Sequence, residues 1–179
     1  MPLTLDGKPF HGAWRSRPAL WDKDTLVVLN WRGLLQFFHR DAKDPAALHG
    51  GDLLSYENGD AIVGCGNNGL WGRNVFFAAD WDMDGKRDLI AGTHQSQGPI
   101  IHQGLPHRAT AFWFRNTGTD ERPVFCRPEL IRTKDGKFIN LDVHKCAVWV
   151  EDFDGDKRPD LAAGAEDGRI YVWYRKDLK

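Results

Sequence analysis

No apolar run in this 179-residue chain is long enough to span a bilayer. Charge of one sign is not in excess. Lys plus Arg number 24 and Asp plus Glu 25, a net charge of −1. That balance removes the electrostatic case for a nucleic-acid partner. Cysteine is scarce. Cys65, Cys126 and Cys146 make an odd count with no CxxC spacing, which excludes a thiolate zinc site and reads as free thiols. A Cys126–Cys146 bridge enters only if the chain is secreted. GxSxG, HExxH and a phosphate-cradling glycine loop are all missing, so hydrolase and nucleotide chemistry have no support. The start, Met1 to Gly7, lacks the basic-then-apolar pattern of a secretory leader. On that pattern alone the chain is expected to stay inside the cell or to be cut from a longer precursor.

Aromatics and turn formers are plentiful: 8 Trp, 10 Phe, 19 Gly and 9 Pro. Many of the aromatics lie in short alternating runs, which predicts an all-β chain of short strands and tight turns. Helix is expected to be nearly absent, with at most one turn at Asp44–Leu48.

The strongest internal signal is a repeat. Asp80-Trp-Asp-Met-Asp-Gly-Lys-Arg-Asp-Leu-Ile-Ala-Gly92 matches Asp152-Phe-Asp-Gly-Asp-Lys-Arg-Pro-Asp-Leu-Ala-Ala-Gly164, 72 residues further on. Aspartates coincide at positions 1, 3, 5 and 9, and Leu-x-Ala-Gly closes both copies. Apolar stretches precede each loop (75–79 and 146–150), and aromatic strands ending in arginine follow (111–115 and 171–175). A third, degenerate copy overlays residues 26–40, with its acidic loop reduced to Trp21-Asp-Lys-Asp24.

Each unit reads as strand, Asp loop, strand, turn, aromatic strand and a further strand. Four short antiparallel strands per repeat make a propeller blade. The predicted organisation is an unassigned segment at 1–16, a degenerate partial blade at 17–60, a blade with an acidic loop and an insert at 61–133, and a partial blade with an acidic loop at 134–179. Two to three blades fall short of the four to eight that close a ring. An incomplete or open propeller is therefore expected, with further blades supplied by a longer protein or by other copies. A sandwich of the same strands is the alternative.

The loops point to calcium. Carboxylates at positions 1, 3 and 5 of a tight loop face one centre, and four of them crowd badly without a cation. Calcium takes six to eight oxygens at about 2.3–2.6 Å. The predicted sets are Asp80, Asp82, Asp84, the Lys86 carbonyl and Asp88, then Asp152, Asp154, Asp156, the Arg158 carbonyl and Asp160. An EF-hand is excluded, because position 12 is Ala91 or Ala163 rather than Glu and the flanks read as strands. Position 6 is Gly85 in the first loop and Lys157 in the second, so the second site is expected to be strained or weaker.

The pattern DxDxDGxxDL, with its following glycine and aromatic strand, resembles the FG-GAP/VCBS repeats of integrin-type β-propellers from about Arg17 onward. The resemblance implies two structural Ca2+ ions and an extracellular or periplasmic setting. It also implies a glycan- or protein-binding role or, in propeller-type lyases, cleavage of uronic-acid polysaccharides.

Two further groups are candidates for function. His94 opens an insert running from Thr93 to Arg108, and insertions on repeat scaffolds tend to carry binding. With Arg73 or Arg108 it could serve as a catalytic pair; with His102 and His107 it could hold a transition metal. Trp31, Trp71 and Trp81 could stack on sugars, although for Trp81 and its counterpart Phe153 the repeat argues packing over recognition; Trp113 and Trp173 occupy matching strand positions and read as core.

Overall fold

The computed structural model describes residues 2–64, 73–94, 109–141 and 144–179. The insert from Gln95 to Arg108, with His102 and His107, lies outside the described residues, as do Cys65 and Trp71. Strands dominate. Among the described residues no α-helix occurs, and the one helical element is a single 3₁₀ turn at Arg175–Asp177. The segment at Asp44–Leu48 turns once and then enters a strand. Among the described residues no helix is long and apolar enough to cross a membrane.

The strands build small sheets in chain order. The first sheet is a meander of β3 (Ala19–Leu20), β4 (Thr25–Leu29), β5 (Leu35–Arg40) and β6 (Ala47–Leu53). The N-terminal hairpin, β1 (Thr4–Leu5) and β2 (Lys8–Pro9), extends it, with β1 parallel to β6. After β7 (Ser55–Tyr56) comes the second sheet: β8 (Val75–Ala79), β9 (Asp88–Gly92), β10 (Ala111–Phe114) and, after β11 (Val124–Phe125), β12 (Glu129–Leu130). β7 and β11 pair with each other, in parallel. The third sheet holds β13 (Cys146–Glu151), β14 (Asp160–Ala165) and β15 (Ile170–Trp173). None of these sheets closes on itself.

Period-two alternation decides how the sheets stack. Every residue of β9 is buried. Leu89 and Ala91 face the first sheet, in a core with Trp21, Val27, Leu35, Phe37, Phe112 and Phe114. Ile90 faces the other way, in a second core with Cys146, Val148, Leu161 and Ala163 of the third sheet. The second sheet is thus the middle layer. The back of the first sheet is covered as well: Leu26, Val28, Phe38 and Leu48 pack under Leu3, Leu5 and Phe10.

The far side of the third sheet is different. Trp149, whose ring reaches Phe77 of the second sheet at 5.5 Å, is still 57% exposed, with Val172 at 42% and Ile170 at 78%. Applying the 72-residue offset, Trp149 stands where the second sheet has Phe77, and Ala162 where it has Ile90. In the second sheet those positions pack against the third. The same logic explains the aromatic that opens each loop. Trp21 and Trp81 are buried between sheets, while their counterpart Phe153 is 45% exposed. Trp113 and Trp173 pack at the margin of the second core. Trp81 is a core residue, the reading the repeat favoured over a sugar platform, with Arg175 stacked over its ring.

The paired glycines Gly92 and Gly164 give a direct test of this stacking. A Cβ on Gly92 would collide with the Cys146 carbonyl and lie 2.9 Å from Val148 Cγ1, because β9 ends directly under β13. A Cβ on Gly164 meets nothing nearer than 3.9 Å. Gly92→Ala is expected to cost about 2–4 kcal/mol through overpacking, and Gly164→Ala under about 0.5 kcal/mol. Urea unfolding of the two variants measures the difference; equal costs would contradict the stacking order.

Candidate functional site

Both acidic loops fold as the spacing demands. In each, three carboxylates converge: Asp80, Asp82 and Asp84 in the first, Asp152, Asp154 and Asp156 in the second, with ligand atoms within 4.8 Å of one another. Either triad could hold a metal ion. Side-chain cations lean on both. Lys86 Nζ lies 3.0 Å from Asp84 and Arg115 Nε 2.9 Å from Asp82. Arg158 lies 2.7 Å from Asp156 and Lys176 2.9 Å from Asp154. These cations hold the carboxyls of Asp84 and Asp156 below their ordinary range: Lys86 bonds to Asp84, and Arg158 to Asp156. In the first loop the pairing is incomplete. Asp80 Oδ1 and Asp82 Oδ1 are buried with no hydrogen-bond partner, an arrangement that suits a cation.

The position-9 aspartates sit apart from the triads. Asp88 is fully buried. Its Oδ2 accepts the Trp113 indole N–H at 2.8 Å and the Trp81 backbone N–H at 3.3 Å, and its Oδ1 accepts the Asn116 N–H at 2.7 Å. Asp160 accepts the N–H of Phe153 at 2.9 Å and of Arg175 at 2.6 Å. Each aspartate pins the loop before its strand to the chain beyond the next strand. Each also keeps a lone pair that a metal could use. Burial, then the neighbouring Asp82 charge, pushes the Asp88 carboxyl up to about 6.

The expected strain at Lys157 is real but not peculiar to the second loop. Both loops need positive φ at positions 4 and 6. The first has Met83 at +61° and Gly85 at +87°; the second has Gly155 at +80° and Lys157 at +67°. One glycine and one strained residue occupy the two places in either order, so the burden is shared evenly.

A second constellation forms where strand ends of the second and third sheets meet the segment before β3. His94, just after β9, bridges to Lys145, just before β13. Arg73, just before β8, donates from Nη1 to His94 Nε2 at 2.8 Å and to His144 Nε2 at 2.9 Å. The two imidazoles lie edge to face, their Nε2 atoms in contact. Together with Arg15, Arg17 and Glu166 these residues line a cavity of about 560 Å³. Burial, then the charge of its neighbours, pulls the His94 imidazole down to about 4.

The Arg73–His94 pairing expected from sequence is therefore present, while Arg108 lies outside the described residues. His144, Lys145, Arg15, Arg17 and Glu166 were missed. A signal for two of them was available: the same 72-residue offset that relates the loops places Lys145 on Arg73 and Glu166 on His94. Among the thiols, Cys126 and Cys146 are both free. Comparison with protein-family models, curated proteins and solved structures finds no match to this chain.

Removing the position-9 carboxylate tests its role as a staple. Asp88→Ala leaves two backbone N–H groups and an indole N–H without their acceptor, and is expected to cost about 3–5 kcal/mol in chemical denaturation. Asp160→Ala, with two donors freed nearer the surface, is expected to cost less.

Proposed function

We propose that this chain is a calcium-braced segment of a propeller-type repeat protein of the FG-GAP/VCBS kind, acting as a binding module for glycans. The recurrence of one acid-lined loop at the same place in two stacked sheets carries the reading. Calcium suits these loops because the donors are all hard oxygens, with orphaned carboxylate oxygens in one of them. The residues that would hold the ions are Asp80, Asp82 and Asp84, with the Lys86 carbonyl and Asp88, and Asp152, Asp154 and Asp156, with the Arg158 carbonyl and Asp160. The ion's work is to neutralise the triads and fix the loop between two strands.

The glycan arm rests on aromatic display beside the cavity. Trp14 and Trp31 are 58% and 69% exposed. They sit on neighbouring turns joined by the Gly12–Asn30 bridge, and Arg15, next to Trp14, lines the cavity. Exposed indoles beside a cleft suit the apolar faces of sugar rings. Arg15 lies over the Trp14 indole at 4.1 Å and Arg32 over the Trp31 indole at 4.9 Å.

Chelation tests the metal. Each ion held at a hundredfold its dissociation constant adds about 2.7 kcal/mol to the folded state. For a chain of this size that is about 5–10 °C of melting temperature per site. EDTA is expected to lower Tm by at least that much, and Ca2+ to restore it. Asp80→Ala and Asp152→Ala should each remove part of the calcium response. Melting that ignores both EDTA and Ca2+ would sink the proposal.

A second reading, a polysaccharide lyase, is favoured by one observation: a buried imidazole, His94, hydrogen-bonded to an arginine at an open cavity. Arg73 would neutralise a uronate carboxylate and His94 would take the proton. Incubation with uronic-acid polysaccharides, followed by ultraviolet absorbance of the unsaturated product, decides it. A flat trace with carbohydrate binding retained leaves the module and removes the enzyme.

A further inference from the structure

The cavity around His94 concentrates positive charge in a chain whose net charge is −1. Arg15 and Arg17 reach it from the segment before β3, Arg73 from the approach to β8, and Lys145 from the approach to β13. Glu166, after β14, is the one acidic residue among those lining it. Four fixed or nearly fixed cations thus face one carboxylate. Arg15 is held there with a left-handed φ of +61°, a costly conformation for a residue with a side chain and one that clusters at functional sites. Arg73 Nε is buried and finds no hydrogen-bond partner among the described residues. Lys145 is pulled below its ordinary range by burial and by Arg17, Arg73 and Arg15, with Glu166 opposing.

We infer that this cavity is an oxyanion site, built to take a carboxylate, sulfate or phosphate group among Arg15, Arg17, Arg73 and Lys145, and that binding is coupled to proton uptake by the His94–His144 pair. The coupling follows from hydrogen-bond geometry. Arg73 Nη1 spends its N–H donors on two imidazole nitrogens, each of which must act as an acceptor there. Protonating one imidazole turns its Nε2 into a donor. It can then bond to the other ring, and the guanidinium donors are released toward the cavity. A bound anion offsets the added positive charge. Anion binding therefore raises the proton affinity of the pair, and falling pH tightens anion binding, by linkage.

The inference deepens the glycan-binding reading by giving the ligand its charged group, but the site stands or falls without it. Calorimetric titration of the full chain with sodium sulfate, at ionic strength held constant with sodium chloride, is the primary test. Sulfate is expected to bind about tenfold more tightly at pH 5 than at pH 7. Titrations in buffers of different ionisation enthalpy should show net proton uptake. Arg73→Gln is expected to weaken sulfate at least about tenfold and to abolish the pH dependence. Arg17 is exposed, so Arg17→Gln folds normally and serves as the second variant; it should weaken sulfate while keeping the pH dependence. His94→Gln should bind sulfate with no proton uptake.

A second arm replaces sulfate with a uronic-acid oligosaccharide and with its neutral, carboxyl-reduced form. Preference for the acidic oligosaccharide over the free anion makes the source a glycan. Sulfate binding with no oligosaccharide binding upholds the site and refutes the glycan reading. Equal binding of the acidic and reduced oligosaccharides, with no sulfate binding at either pH, upholds the glycan reading and overturns the site.

Discussion

The structure depends on β9 having no side that faces water. Asp88–Gly92 alternates Leu and Ala toward one neighbour with Ile and Gly toward the other, and all five residues are buried. A strand of this kind cannot be stable in one sheet alone, because burying either row requires a sheet on that side. The middle sheet therefore organises the chain. Gly92 has to be small because the third sheet passes over it, and Asp88 has to carry its own acceptors because the strand's buried start offers no water to the nearby N–H groups. In β9 the requirements of packing and of hydrogen bonding meet within five residues.

The acidic loop is the outward expression of that strand. Its position-9 aspartate turns inward to pin backbone, and positions 1, 3 and 5 turn outward as a triad. Local chemistry so divides one short segment into a structural half and a half able to take a cation. The left-handed positions at 4 and 6 make the division possible by bending the chain tightly enough for alternate carboxylates to converge. That the glycine sits at position 6 in one copy and position 4 in the other shows that the bend is the common feature, with either residue able to carry the strain.

Much of this was legible in sequence, for physical reasons that differ by element. The strands around each loop were visible because the buried rows alternate and because four aspartates at fixed spacing bracket them. The carboxylate triads were visible because short-range spacing alone sets their geometry. The role of Asp88 as a buried acceptor was not, since two of its three donors, the Trp113 indole and the Asn116 N–H, lie beyond an insert. For Trp81 the repeat favoured packing over a sugar platform, but it did not name the third sheet, far along the chain, that buries it. His144 was invisible for the same reason. It lies 50 residues from His94, and only the crossing of β9 under β13 brings them together.

The two outer faces of the stack show how a repeat resolves its ends. Each sheet of the repeat has two apolar faces, and each interior face here is covered by the next sheet in sequence. The first sheet has no predecessor among the described elements, and residues that belong to no repeat, Leu3, Leu5 and Phe10, fold over its back. Phe10 stacks edge-on against Phe38 at 4.9 Å, filling the place a neighbouring sheet would take. Among the described residues the third sheet has no such cover. It keeps the surface chemistry of an interior face, with Trp149, Val172 and Ile170 in the positions its predecessor uses for packing. The repeat thus writes the same two faces into every unit, and a unit's surroundings alone decide whether a face is core or surface. The cavity follows the same rule. Arg73 and Lys145 occupy one repeat position, as do His94 and Glu166, so the site is made by setting two copies of one strand end side by side. Divergence within each pair, arginine against lysine and histidine against glutamate, converts a structural repetition into a chemically asymmetric site.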